Sequence, residues 1–166
     1  MNRYLEQLRS AIETATRGMT PHELTLPVEG RWNAAQVLEH LSLTYSGTTR
    51  GFRRCLDAGH PLAGSVGFKQ RLRILLVVDL GYFPKGREAP NGTRPKGTLG
   101  ANAVQEIGRS VAEMDSAIEQ CEARHGRRVL LLDHPVLGPL TADQWRKFHL
   151  VHAKHHMKQI EELRRV

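Results

Sequence analysis

Apolar residues recur along this chain at helical intervals in four long stretches. Residues 3 to 19 place Leu5, Leu8, Ile12, Ala15 and Met19 at alternating steps of three and four, the narrow seam of a helix packed nearly parallel to its neighbours. Gly18 and Pro21 predict its end. The second helix starts at Asn33, with Gln36 placed to close a capping box and Trp32 and Val37 at hydrophobic-staple positions. Its inner face runs Val37, Leu41, Thr44, Thr48, Phe52, Cys55 and stops before Gly59; His40 falls between the directions of Val37 and Thr44. The third helix carries Val104, Ile107, Val111, Met114, Ile118 and Cys121, with Gly126 as its stop. The fourth repeats the start device of the second: Thr141 caps, Gln144 closes the box, and Leu140 with Trp145 form the staple.

Between these stretches the pattern is irregular. Phe68 to Leu80 predicts a short amphipathic helix, and residues 81 to 100 (GYFPKGREAPNGTRPKGTLG) a long loop dense in Gly and Pro. That loop is long enough to run the length of a bundle, so helices two and three need not be antiparallel. The segment VLLLDHPVLGPL (129 to 140) reads as an apolar linker, and no strand-period alternation of useful length occurs. The expected fold is all-α: a four-helix bundle with a long crossover between helices two and three and one extra short helix, filling residues 1–166 as one domain.

The fourth helix departs from the others in its core-facing residues. From Trp145 the seam continues through His149, His152 and His156 to Ile160 and Leu163. Imidazoles therefore occupy seats that helices one and three give to aliphatic side chains, within an arc of roughly 60°; His155 points away. Each buried polar group without a partner costs roughly 1–3 kcal/mol, and adjacent buried imidazoles cannot all be charged. A divalent cation meets both constraints, taking His152 and His156 one turn apart and His40 from helix two. Spacing alone is weak support: nine histidines in 166 residues give about half an i, i+4 pair by chance. The alternative is a set of histidines bonded to backbone or water inside an ordinary bundle. His22, His60 and His125 read as loop or surface residues, whereas His134, just upstream of helix four, is placed to contact the site.

Charge and composition narrow the partners. The net charge of +7 raises nucleic acid, but the basic residues are scattered and aromatics make up only 5%, too few for a base-stacking platform. The longest apolar run, Ile74 to Val78, is too short for a bilayer, and the N-terminal residues lack a signal-peptide core. The expectation is a soluble, cytoplasmic protein that binds a small-molecule substrate, with neither nucleic acid nor membrane as partner. Cys55 and Cys121 fall at apolar helical positions and read as buried free thiols.

The motifs WNAAQVLEHL (Trp32 to Leu41) and HAKHHMKQI (His152 to Ile160) resemble the DinB-like metalloenzymes, and HPVLGPLTADQW (His134 to Trp145) resembles the lead-in of one branch of that family. The resemblance covers nearly the whole chain, with residues 59 to 100 the least matched. It implies a four-helix bundle with a long crossover, often homodimeric. It also implies metal ligands that fall on His40, His152 and His156, with Gln159 at the position of a commonly following Gln. Asn33 stands where the family often has Ser or Thr, an equivalent cap. His149 is an addition, and it, Gln159 and His134 are the candidates to support the ligands.

The cation implied is zinc or nickel, with iron and manganese as further options; imidazole ligands suit zinc, nickel, iron or copper. Characterised members of the family are similar to S-transferases that use low-molecular-weight thiols, which makes a metal-dependent transferase acting on small electrophiles the leading expectation. Arg87, Arg94 and Lys96 on the long loop are candidates to bind the thiol's carboxylates. A metal-dependent hydrolase is the alternative; it wants a general base, and Glu39 points elsewhere, leaving Asp79 or Asp133 to approach from loops. A non-catalytic metal- or ligand-binding stress-response module is the third reading.

Overall fold

The computed structural model describes residues 2–82 and 89–165. Four long helices dominate it: α1 (Arg3–Thr16), α3 (Ala34–Ala58), α5 (Ala103–His125) and α6 (Ala142–Leu163). Short helices α2 (Pro21–Thr25) and α4 (Phe68–Ile74) lie between them, and α4 continues into a π-helical turn, Leu75–Asp79. The caps form as the sequence predicts. Asn33 accepts from the Gln36 amide while Gln36 returns a bond to the Asn33 amide, and Thr141 with Gln144 does the same at α6.

Side-chain contacts give the helix directions. Ser42 meets Ser110, the Cys121 thiol reaches the Phe52 carbonyl and Arg124 reaches that of Leu56; position rises together on both helices, so α3 and α5 are parallel. Arg164 at the end of α6 bonds the carbonyls of Ala15 and Arg17 at the end of α1, so this pair is parallel too. Thr48 meets His149 while His40 meets His152, so α3 and α6 run antiparallel. The long crossover is what joins two parallel helices, as its length allows.

Leu5, Leu8, Ile12, Phe52, Cys55, Ile107, Val111, Met114, Ile118, Cys121 and Ile160 are buried together, and both thiols are free. Three expectations are corrected. Val104 is exposed and Ala103 beside it is buried, because Val104 lies in the first turn of α5, at the end of the buried stripe. α3 buries a second stripe, including Leu38 and Tyr45, since it packs on α5 as well as α6. The supposed linker is an antiparallel hairpin, β1 (Leu130–His134) and β2 (Gly138–Thr141). Its apolar run hides the alternation, and Gly138 turns it at φ +79°, a conformation that disfavours side chains. Of the loop 81–100, residues 83–88, including Arg87, lie outside the described residues. No helix among the described residues is long and apolar enough to cross a membrane.

Asn33 caps α3 and also donates its amide to the Thr25 carbonyl, tying α2 to α3. Asn33→Ala is expected to lower the unfolding free energy by about 1–2 kcal/mol, measured by urea titration.

Candidate metal centre

The second turn of α3 and the middle of α6 face each other across the bundle, and their histidines meet there. His152 Nε2 lies 3.0 Å from His156 Nε2 and 3.4 Å from His40 Nε2. All three rings are buried, at 5–7% exposure, and they form a group that could hold a metal ion, its ligand atoms within 4.8 Å of one another.

Neighbours orient the rings. The His40 Nδ1–H donates to the Thr93 carbonyl at 2.8 Å. A carbonyl can only accept, so the proton sits on Nδ1 and Nε2 offers a lone pair. His156 Nδ1 lies 2.9 Å from Gln159 Oε1, with the same consequence. Trp32 lies over His40, and Phe148 stacks on His152 at 5.6 Å. Desolvation lowers the pKa of each ring: His40 against the Thr93 bond, His156 to about 4, and His152 well below its ordinary value with help from His156. The cluster is therefore neutral at pH 7, the form that ligates metals. Nitrogens bound tetrahedrally at about 2.0–2.1 Å stand about 3.3 Å apart, close to the spacings observed, so the donor set fits a divalent cation.

The cluster opens on a cleft of about 1610 Å³. Its lining includes Thr44, Gly47, Thr48 and Gly51 of α3, Val136 and Leu137 of the hairpin, and Leu76 and Val77 of the π-helical turn.

The other predicted residues are placed as follows. Gln159 bonds His156. His149, fully buried, bonds Thr48 and stacks on Trp145; burial takes its pKa to about 3. His134 accepts the amides of Val136 and Leu137, packs on Phe148 and lines the cleft. Neither His149 nor His134 is brought into the three-nitrogen group. His155, expected to point away, lines the cleft edge-on to His156 at 5.2 Å. Asp79 pairs with Lys147, whereas Asp133 accepts from Gly64 and lines the cleft. Arg94 bonds the Ala89 carbonyl.

Sequence reasoning missed Glu39. It faces away from the cluster as expected, yet it is buried and accepts four hydrogen bonds from the long loop, from the amides of Lys96, Gly97 and Thr98 and from the Thr98 hydroxyl, at 2.7–3.1 Å. Desolvation works to raise its pKa, but these donors together hold it lowered. The Thr93 carbonyl was equally invisible. A glycine-rich turn signals a tight backbone but not its partner.

Fold and site define a helical bundle with an inward-facing three-histidine cluster. The chain belongs to the DUF1569 family, a family described as of unknown function, whose model matches residues 4–163. No curated protein matches it. Among solved structures it is similar to YfiT from Bacillus subtilis, described as a probable metal-dependent hydrolase with an unusual four-helix bundle topology. The identity is 21%, the TM-score 0.49, and the match covers 98% of this chain and 83% of that one.

Burial of neutral imidazoles makes stability depend on pH. In the unfolded chain these rings bind protons below about pH 6.5; in the folded chain His134 and His156 do so only near 4 and His149 near 3. The unfolded state thus holds more protons in that window, and stability is lost as pH falls through it. In chelator, Tm is expected to drop steadily from pH 7 to pH 4.5, and His149→Leu to flatten the slope. A level Tm across this range contradicts neutral burial.

Proposed function

We propose that this chain is a divalent-metal-dependent enzyme whose cation is held by the Nε2 atoms of His40, His152 and His156. The observation that carries this reading is the convergence of three neutral imidazole nitrogens on one point at the wall of a large cleft. The resemblance of WNAAQVLEHL and HAKHHMKQI to DinB-like metalloenzymes supports the same ligand set. Three protein ligands leave coordination positions open, as in reactive rather than structural sites.

A bound divalent cation favours the anionic form of a thiol or water beside it, which is the nucleophile needed at neutral pH. One neighbouring carboxylate supports the thiol. The carboxylate adjacent to the ligands, Glu39, already accepts four hydrogen bonds, which fills a carboxylate's lone pairs and leaves it no role as a base. A thiol needs no such base, because its own pKa is near 8.5. The mostly apolar cleft, with Trp32, Tyr82 and Phe148 along it and Arg31, Arg54 and Arg73 among its lining residues, suits a small electrophile and an anionic low-molecular-weight thiol. The proposed reaction is attack of the thiolate sulfur on the electrophile's carbon: a C–S bond forms, the leaving group departs with its bonding pair (chloride from a chlorinated electrophile), and the thiol's proton passes to solvent. Hydrolysis is the second reading, favoured by His155, which sits on the cleft beside His156, and by Asp133, which lines the same cleft; both have the chemistry of a base.

Purified protein is expected to hold about one zinc or nickel per chain, and His152→Ala to hold almost none while keeping its helical circular dichroism; equal metal content removes the site. Metal-loaded protein should conjugate a low-molecular-weight thiol to monochlorobimane at least tenfold faster than chelated protein. Ester turnover without thiol, lost in His155→Ala, decides for hydrolysis instead.

A further inference from the structure

Two successive residues of α3 grip one loop. His40 holds the segment at the Thr93 carbonyl, and Glu39, about 100° further round the helix, holds it three to five residues later at Lys96, Gly97 and Thr98. The second grip is built for a carboxylate. Gly97 has φ +75°, and the three consecutive N–H groups around it converge as an anion-binding nest. Glu39 fills that nest from inside the protein at 2% exposure. Between the grips the chain is short, so fixing the turn at 96–98 limits where residue 93 can sit. Ala89, Pro90 and Thr93 in turn form part of the cleft wall.

We propose that Glu39 is a positioning residue: by clasping the 96–98 turn it holds the Thr93 carbonyl against His40, so that His40 keeps its Nε2 aimed at the other two imidazoles and the 89–93 segment stays seated as a wall of the cleft. This rests on the metal reading above and adds to it the device that sets the direction of the one ligand contributed by α3. Without the clasp the loop is joined to this part of α3 through the His40 bond alone among the hydrogen bonds described, and that ring gains freedom to turn. Carbonyl or carboxylate partners of ligating histidines typically govern metal affinity by about 10–100-fold; Glu39 acts one step further out, through the chain that carries the carbonyl.

The test uses the full chain and Co²⁺, whose visible absorption reports ligand geometry. Glu39→Gln replaces one carboxylate oxygen with an NH2 group, which sets amide hydrogens against one or two of the three N–H donors and removes the negative charge. Gly97→Ala leaves the carboxylate intact and strains only the nest, since no atom lies within 4 Å of the added methyl; it keeps the inference testable if Glu39→Gln fails to fold. Asp115→Asn is the control, a buried ion-pair partner of Arg146 on the α5–α6 side of the bundle. Both loop variants are expected to raise the Co²⁺ Kd about tenfold, alter the Co²⁺ spectrum and speed amide exchange at residues 96–98 in chelated protein. The control should lower Tm and leave Kd and spectrum unchanged. Wild-type binding with Kd and spectrum unaltered in both loop variants overturns the inference alone, as does unchanged exchange at 96–98. Failure of the wild type to bind Co²⁺ overturns the metal reading itself.

Discussion

Three imidazoles share a buried space in which none of them can carry a charge, and much of the surrounding structure follows from that. Desolvation keeps His40, His152 and His156 neutral, and a neutral imidazole has one donor and one acceptor to place. Thr93 and Gln159 take the donors of His40 and His156 on the outward side, which turns two lone pairs inward. Only His152, between them, is left able to direct a proton toward either neighbour. The cluster is thus an acceptor-rich point inside a protein, an arrangement that favours a cation over any neutral filling.

The bundle supplies the rigidity such a cluster needs. Antiparallel packing of α3 on α6 lets His40 meet His152 and His156 while, lower down, Thr48 meets His149 and Phe52 meets Trp145. Reciprocal capping boxes at Asn33 and Thr141 fix where both helices begin, and so fix the register at which the histidines face one another. Aromatic rings pack against two of the imidazoles, Trp32 on His40 and Phe148 on His152.

The helical frame was legible because its signals are local: periodic apolar seats, caps and Gly stops lie within a few residues of what they determine. The three histidines were legible for the same reason, as polar residues in an apolar period. Glu39 was not, because its partners lie 57 to 59 positions away and no local rule links an acid on one helix to a turn beyond a glycine-rich loop. The hairpin at 130–141 escaped because Leu130, Leu131 and Leu132 are apolar on both faces, which erases the two-residue period that marks a strand. Val104 misled by fitting the period of α5 while lying in its first turn, at the exposed end of the stripe.

The parallel pairing of α3 with α5 carries an architectural cost and an opportunity. The connection between them must return along the full bundle, so it cannot be trimmed to a tight turn. Its course brings residues such as Leu76, Val77, Pro90 and Thr93 into the lining of the cleft. Changes of sequence along this strap can therefore reshape the lining of the cleft while the helices beneath keep their register.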